Sequence, residues 1–173
     1  MPYYDIVFDS CNIDDALSAK LGFSRIGMIP NDIGFADLSK RGASGEKNLI
    51  ASGPVGNLIG AAGSGVSAIY IPDYQIDKKL IATMADNEAI LCVSLSDVME
   101  PYGLKRSQLI FRIGKLFAYA KKEGVDVAFL TLAKARSRMC SYMQIIELAK
   151  LIGADEDYAR RSVGEINGRL LMQ

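Results

Sequence analysis

The chain has 173 residues, and its 20 Lys and Arg balance its 20 Asp and Glu. Half of the residues are apolar, so we expect one packed domain over residues 1–173 rather than a disordered chain. The apolar runs are shorter than the roughly 18 residues of a membrane span, and "MPYYDIVFDS" lacks the basic-then-apolar order of a secretory signal. We therefore expect a cytoplasmic protein.

Histidine is absent from the sequence. This excludes Ser-His-Asp and Cys-His catalysis and any metal site with imidazole ligands. The three cysteines, Cys11, Cys92 and Cys140, are far apart and form no C-x-x-C pair, which favours buried, reduced thiols. Magnesium sites built from carboxylates and chemistry based on lysine stay open, so the sequence does not decide whether the chain is an enzyme.

Short apolar strands alternate with helical patterns along the chain. Strands are predicted at 3–9, 24–30, 47–52, 67–72, 89–95 and 126–132, and helices at 13–21, 55–62, 76–86, 104–123 and 141–153. This alternation is typical of an α/β fold with parallel strands, either an open doubly wound sheet or a small irregular (β/α) barrel of the TIM type. Asn12 and Ser141 are the predicted N-caps, and the segment 31–47 shows little helical periodicity.

Two polar or glycine-rich segments have structural interpretations that compete with functional ones. The stretch "SGPVGNLIGAAGSG" (52–65) matches no phosphate-binding loop, and close helix packing with a glycine that ends the helix explains it better. In "CVSLSDVMEPYG" (92–103), Ser96 or Asp97 is expected to cap a short helix. Asp5, Asp9 and Asp97 could together hold magnesium, although three carboxylates are a weak signal.

Basic residues are concentrated in the later half of the chain. Between positions 101 and 150 ten Lys and Arg face three acids, a net charge of +7. In the helix predicted at 104–123 the cations Lys105, Arg112, Lys115 and Lys122 fall on one face, away from the apolar face, with Glu123 as the one acid of the segment. Such a field attracts polyanions, although a plain solvated helix face would look similar.

A second basic cluster follows the last predicted strand. In "FLTLAKARSRMCSYMQ" (129–144), Lys134, Arg136 and Arg138 stand between the carboxyl end of that strand and the next helix. Ligands bind at this edge in open α/β sheets and barrels, and a helix start favours anions. The alternative is a loop that is basic only for solubility.

Taken in order, residues 92–163 resemble the C-terminal half of the archaeal ribonuclease P protein component 3 family, the counterparts of the eukaryotic thirty-kilodalton subunit of ribonuclease P and MRP. The resembling features are "SLSD" at 94–97, the basic helix leading into "FAYAKKEGVDVAF", the basic loop after it, and "SYMQIIELAKLIGADEDYARRSV". The N-terminal "YYDIVFDS" and "LGFSRIGMI" also suit the family.

The resemblance implies an incomplete (β/α) barrel related to the polymerase and histidinol phosphatase superfamily. It also implies a non-catalytic subunit of a ribozyme that removes 5′ leaders from precursor tRNA by phosphodiester hydrolysis, with magnesium held by the RNA. The implied partners are ribonuclease P RNA, precursor tRNA, the component 2 protein and the other protein components.

We therefore predict an RNA-binding protein that neutralises phosphates and holds no cofactor of its own. The predicted phosphate contacts are Arg106, Arg112, Lys115, Lys121, Lys122, Lys134, Arg136 and Arg138. The alternative is a small barrel enzyme that acts on a phosphorylated metabolite, with Lys134, Arg136 or Arg138 holding the phosphate.

Overall fold

Parallel strands and the helices that connect them account for most of the chain. The computed structural model describes residues 2–39 and 49–172. Its strands are β1 Tyr4–Phe8, β2 Arg25–Ile29, β3 Gly34–Asp37, β4 Leu49–Ser52, β5 Ala68–Tyr70, β6 Ile90–Ser94 and β7 Val127–Leu130. Its helices are α1 Asp15–Leu21, α2 Val55–Gly63, α3 Lys78–Asp86, α4 Leu95–Met99, α5 Gly103–Lys122, α6 Tyr142–Ile152, α7 Glu156–Arg161 and α8 Asn167–Leu171. Single 3₁₀ turns cover Asp9–Cys11 and Arg136–Arg138, and a π-helical segment covers Ser162–Ile166.

The strands form two parallel ladders. Strands β3, β4, β5, β6 and β7 pair in that order, and β1 pairs with β2. Every pairing is parallel, for example with Asp5 opposite Ile26 and Cys92 opposite Ala128. Crossover helices explain this, because a parallel connection needs a segment long enough to return to the same edge of the sheet. The protein is therefore an α/β fold with a parallel central sheet.

The two ladders meet at the carboxyl ends of β1 and β7. There the Leu132 amide donates to the Ile6 carbonyl at 3.0 Å, and the Phe8 amide donates to the Ala133 carbonyl at 2.9 Å. No ladder joins β2 to β3 within residues 2–39 and 49–172, so the described strands do not close into a barrel.

Side chains separate β1 from β7 over the rest of their length. The Ser162 hydroxyl accepts from the Phe129 amide at 3.0 Å and donates to the Val127 carbonyl at 2.8 Å. The Asn167 amide group donates to the carbonyls of Phe129 and Tyr4, both at 2.9 Å. The π-helical segment and the start of α8 thus satisfy the strand edge that a neighbouring strand would otherwise pair with.

Alternation along the strands produces two apolar cores. In β7, Val127 and Phe129 face a core shared with α2, α3, α5 and α6, whereas Ala128 and Leu130 face the other side. That second core is covered by the C-terminal segment through Leu170 and its neighbours. Both faces of β4, β6 and β7 are buried, as their near-continuous apolar sequences require.

The structure confirms the α/β class and corrects several local predictions. The N-cap of α1 is Asp14, whose side chain accepts from the Leu17 amide, whereas Asn12 lies outside the helix with a φ of +48°. Ser141 does cap α6, and it forms a capping box with Gln144. All three cysteines are buried, and none of them forms a disulfide within the described residues. Residues 47 and 48 of the strand predicted at 47–52 lie outside the described residues, as do residues 40–47 of the segment 31–47.

The glycine stop predicted after α2 is confirmed, because Gly65 follows the helix with a φ of +81°. The close packing predicted for the glycines within α2 is wrong. A Cβ added at Gly56, Gly60 or Gly63 would meet nothing within 4 Å. The opposite holds at Gly114 in α5, where an added Cβ would lie 2.8 Å from the backbone oxygen of Ile152 in α6. Glycine is thus needed where α5 crosses α6 but not in the middle of α2.

These environments predict opposite effects of the same substitution. Gly60→Ala is expected to raise the free energy of unfolding by about 0.5–1 kcal/mol, because alanine restricts the unfolded chain and fits the helix. Gly114→Ala is expected to lower it by about 1–3 kcal/mol, because the helices must separate. Urea denaturation of both variants beside the parent protein checks this, and equal shifts would contradict it.

Candidate nucleic-acid interface

Helix α5 presents a cationic outer face. It buries Ile113, Leu116, Phe117 and Ala120, and it contains no carboxylate among its 20 residues. On the opposite side Arg112 and Lys115 are exposed, and the Lys115 ammonium lies 4.4 Å from the centre of the exposed Phe111 ring. Within the described residues no ion pair involves Arg112 or Lys115. Their charges are therefore open to a ligand.

Arg106 has a structural role that the sequence did not indicate. Its Nε donates to the Pro101 carbonyl at 2.8 Å, and its Nη2 donates to the Met99 carbonyl at 3.1 Å. These carbonyls follow or end the short helix α4, where backbone acceptors have no helical partner. The guanidinium also lies 5.4 Å from the centre of the Tyr102 ring. Arg106 is half-buried and fixes the turn between α4 and α5.

The last turn of α5 carries two further predicted cations, Lys121 and Lys122. Lys121 pairs with Asp155 at 2.9 Å and lies 5.1 Å from the Tyr158 ring centre. Since a 20-residue helix spans about 30 Å, this end is distant from the end at which α5 begins. Lys121 and Lys122 therefore belong to the edge of the fold where β7 begins, not to the edge where β7 ends.

The basic loop after β7 lies at the carboxyl edge of the sheet. Arg136 pairs with Asp14 at 3.5 Å and Arg138 pairs with Glu100 at 3.1 Å. The Lys134 ammonium lies 5.4 Å from the centre of the Phe8 ring. All three side chains are exposed, and exposed ion pairs contribute only about 0–1 kcal/mol, so a phosphate can replace either carboxylate at low cost.

The eight predicted residues thus divide into three groups. Arg112 and Lys115 lie on the outer face of α5, Lys121 and Lys122 lie at its far end, and Lys134, Arg136 and Arg138 lie at the carboxyl edge with Arg106 near the start of α5. The helical periodicity predicted exposure correctly for α5. It did not predict that Asp14 and Glu100, which come from other parts of the chain, pair with the loop cations.

A pocket of about 160 Å³ opens at the same carboxyl edge. Its lining combines aromatic, hydroxyl and charged side chains from the ends of several strands: Phe8, Phe35, Tyr70, Ser94, Ser96, Asp97, Glu100, Leu132, Lys134 and Arg138. Parallel strands bring their carboxyl ends to one edge, which explains the convergence of residues from β1, β3, β5 and β6. We call this cavity the edge pocket.

Asp97 is the anchored carboxylate of the edge pocket. Its Oδ2 accepts from the Tyr70 hydroxyl at 2.5 Å and from the Tyr74 hydroxyl at 2.8 Å. Burial, together with the charge of Asp97, raises the pKa of both tyrosines, so they act as donors at neutral pH. Asp97 therefore does not cap α4 as predicted. Ser96 does not either, because it lies within α4 and the N-cap residue is Ser94.

Asp5 is fully buried and bound by neighbouring backbone and side-chain donors. Its Oδ1 accepts from the amides of Ile6 and Thr131, both at 2.8 Å, and its Oδ2 accepts from the Thr131 hydroxyl at 2.5 Å. Burial raises the pKa of Asp5 to about 6, although these hydrogen bonds act in the opposite direction. Asp5 thus joins β1 to the chain after β7.

The magnesium alternative needed Asp5, Asp9 and Asp97 together. Both oxygens of Asp5 and one oxygen of Asp97 accept hydrogen bonds from protein groups. The side chain of Asp9 lies outside the described part of the structure. Within that part, no group of three or more Cys, Asp or Glu is arranged to hold a metal ion.

The sequence could have indicated part of the edge pocket. Tyr70 ends β5 and Asp97 follows β6, so each stands at the carboxyl end of a predicted strand. Polar residues at these positions are the usual signal of a site in a parallel sheet. Tyr74 gives no such signal, because it stands in a connecting segment with a φ of +53° and reaches Asp97 from there.

Comparison with known proteins supports the fold and no more. No family model matches the chain, and no curated protein matches it. Among solved structures, the crystal structure of an uncharacterized protein matches with a TM-score of 0.57 and 12% sequence identity, over 90% of this chain and 45% of that one. The chain thus spans less than half the length of that protein. None of the helices in the described ranges is both long and apolar enough to cross a membrane.

Proposed function

We propose that this chain is an RNA-binding protein subunit of ribonuclease P, and that it supports removal of the 5′ leader from precursor tRNA. The observation that carries the proposal is the outer face of α5, where Arg112 and Lys115 stand exposed on a helix without a single carboxylate. Exposed cations on a helix without acids attract polyanions even in a chain whose net charge is zero.

The order of elements over residues 92–163 supports the same proposal. Strand β6 is followed by the short helix α4, the basic helix α5, strand β7, the basic loop, and the pair α6 and α7 joined through Gly153 and the N-cap Asp155. The segments that resemble the component 3 family follow one another in this order. The proposal includes the relation of this sheet to the incomplete (β/α) barrel of that family.

In this proposal the RNA performs the hydrolysis with magnesium, and the protein contributes charge neutralisation. Arg112 and Lys115 contact phosphates of one RNA segment, and the loop cations Lys134, Arg136 and Arg138 contact phosphates at the carboxyl edge. Contacts of this kind position an RNA helix without reading its sequence. The component 2 protein and the other protein components are the proposed partners.

A small enzyme acting on a phosphorylated metabolite is the second candidate, and the edge pocket is the observation that favours it. Lys134 and Arg138 lie at the pocket and could hold a phosphate. Two observations argue against an enzyme. Asp5 accepts hydrogen bonds from Thr131 and Ile6, and Asp97 accepts hydrogen bonds from two tyrosine hydroxyls. The RNA-binding proposal needs no reactive group on this chain.

Reconstituted cleavage of precursor tRNA tests the proposal. Archaeal ribonuclease P RNA is assayed at limiting magnesium with the component 2 protein, in the presence and absence of this chain. We expect the chain to raise the cleavage rate by at least about 10-fold, because neutralised phosphates let the RNA fold with fewer bound metal ions. A rate that does not change on adding the chain, at any magnesium concentration, would refute the proposal.

A further inference from the structure

The edge pocket has the size and walls of a site for one aromatic ring. Its volume of about 160 Å³ is close to that of a cavity of ~150 Å³ that takes up benzene. Phe8 and Phe35 form one side, with ring centres 5.4 Å apart and planes at 62°, and Tyr70 lines the pocket as well. All three rings are half-buried, so their remaining surface faces the opening. A planar ring that enters can stack against them.

The polar groups of the pocket are arranged to recognise such a ring. Because Tyr70 and Tyr74 both donate to Oδ2 of Asp97, that carboxylate is held in one orientation. No donor to its Oδ1 occurs among the described residues. Oδ1 is thus a fixed acceptor that a ligand can reach, since Asp97 is only half-buried and lines the pocket.

Two buried hydroxyls line the pocket together with Asp97. Ser94 and Ser96 have their oxygens 3.2 Å apart, and each makes only a long contact to a backbone carbonyl, at 3.5 Å to Thr131 and 3.4 Å to Leu132. Contacts of that length are weak, so either hydroxyl can turn toward a ligand without losing a strong hydrogen bond. The pocket therefore offers one fixed acceptor and a pair of adaptable hydroxyls.

The cations of the pocket supply the remaining part of the recognition. Lys134 and Arg138 line it together with Glu100, which pairs with Arg138 at 3.1 Å. The cationic side chains here are long and exposed, so they can reach a phosphate outside the pocket while the ring is inside. The ligand chemistry that this combination fits is a nucleotide: an aromatic base bearing an amino group, with a phosphate attached.

We propose that the edge pocket binds the base of a single unpaired cytidine nucleotide. The cytosine amino group donates to Asp97 Oδ1, a serine hydroxyl donates to the ring nitrogen beside it, and Lys134 and Arg138 hold the phosphate. Carboxylates are the acceptors that select the amino group of cytosine. Uracil carries an oxygen at that position, which the carboxylate repels. This inference deepens the proposed RNA-binding function by naming the element that the carboxyl edge captures.

Calorimetric titration of the full chain with cytidine 5′-monophosphate and uridine 5′-monophosphate tests the proposal. We expect the cytidine nucleotide to bind at least roughly 10-fold more tightly, since one base-edge contact is gained and one repulsion is avoided. Ribose 5-phosphate measures the phosphate contribution alone. If it binds as well as the cytidine nucleotide, or if the two nucleotides bind equally, the proposal is wrong.

The Asp97→Asn variant provides a sharper test because it should invert the preference. Tyr70 and Tyr74 still donate to the side-chain oxygen, so the new amide NH₂ takes the place of Oδ1 and offers a donor. The variant should then bind the uridine nucleotide more tightly than the cytidine nucleotide. A merely destabilised pocket would lose both ligands without inversion, and that result would overturn the assignment. Ser96→Ala, which keeps Asp97 and its tyrosines, should weaken the cytidine nucleotide severalfold in a folded protein.

Two further experiments identify the source of the nucleotide and distinguish this proposal from the proposed function. A five-residue oligocytidylate should compete with the free cytidine nucleotide; failure to compete would exclude an RNA strand as the source. The double variant Arg112→Ala, Lys115→Ala should bind the cytidine nucleotide like the parent chain, because no residue of α5 lines the pocket. Nucleotide selection can therefore fail while cleavage is supported, and cleavage can fail while nucleotide selection persists.

Discussion

The double variant Arg112→Ala, Lys115→Ala is expected to bind ribonuclease P RNA about 30-fold more weakly than the parent chain at 0.15 M monovalent salt. Each lost phosphate contact removes about 0.9 from the slope of log K against log[salt], so the slope should fall by about 2. Both side chains are exposed and neither has an ion-pair partner within the described residues. Filter binding at four or more salt concentrations measures affinity and slope together.

The matched control is Lys78→Ala, Lys79→Ala. This pair removes the same charge from the exposed start of α3, outside the predicted RNA-contacting set. It should leave the slope within experimental error of the parent value. If the two double variants lower the slope equally, the attraction comes from net charge alone and the outer face of α5 is not the interface.

The two double variants should differ little in their free energy of unfolding. Arg112 contributes no described ion pair, and Lys115 contributes one exposed cation–π contact with Phe111, worth about 0.5–1 kcal/mol. The free energy of unfolding of the α5 variant should therefore fall by no more than about 1 kcal/mol. A larger loss would mean that weakened RNA binding reports unfolding, and the binding result would then count against a direct role.

The positions of most strands and helices could be predicted because burial and periodicity are local properties. Six of the observed strands coincide with short apolar runs, and α5 begins and ends within one residue of the segment 104–123. Strand β3, "GFAD" at Gly34–Asp37, was missed. Its residues are half-buried or exposed and carry no apolar run, and it is a strand only because it pairs with β4. Because this pairing depends on another segment of the chain, the four residues of β3 give no strand signal of their own.

At the candidate interface, too, local features could be predicted from the sequence, whereas contacts with other segments of the chain could not. The exposure of Arg112 and Lys115 follows from the 3.6-residue repeat of α5, which is why the sequence predicted it. The pairs Arg136 with Asp14 and Arg138 with Glu100 depend on where β1 and β6 lie relative to the loop after β7. Charge counting in one segment cannot show such neighbours, because they come from other parts of the chain.

The edge pocket depends still more on topology. Tyr70 and Asp97 are 27 residues apart, and they meet because β5 and β6 are neighbours in the sheet. From the sequence, Asp97 was interpreted as a helix cap or as a magnesium ligand. Neither interpretation involves a tyrosine from another strand. A carboxylate held by two tyrosine hydroxyls requires the strand order, which the sequence left undecided between an open sheet and a barrel.

The second large effect concerns Asp5, and it is a dependence of stability on pH. Burial raises the pKa of Asp5 in the folded protein to about 6, compared with an ordinary value of 3.8. Between these values the folded chain keeps a proton that the unfolded chain has released, so the free energy of unfolding falls as pH rises. Below about pH 4 Asp5 is protonated in both the folded and the unfolded chain and costs no stability. Above about pH 6 it is ionised in both, and the full cost of burying its charge lowers the free energy of unfolding. A shift of this size corresponds to about 3 kcal/mol.

The Asp5→Asn variant should remove this dependence. Its side-chain oxygen can still accept from the amides of Ile6 and Thr131, and its NH₂ can donate to the Thr131 hydroxyl, as a protonated carboxyl would. At pH 7 the variant should therefore be as stable as the parent chain or more stable. At pH 4 this advantage should shrink by up to about 3 kcal/mol.

Urea denaturation of parent, Asp5→Asn and Asp86→Asn proteins from pH 4 to pH 7 measures the difference directly. Asp86 is exposed at the end of α3, so its variant controls for the loss of one negative charge. The curve for Asp86→Asn should run parallel to the parent curve, whereas the curve for Asp5→Asn should converge with it toward acid. Parallel curves for all three proteins would mean that Asp5 is not held in the buried, proton-retaining setting between β1 and Thr131.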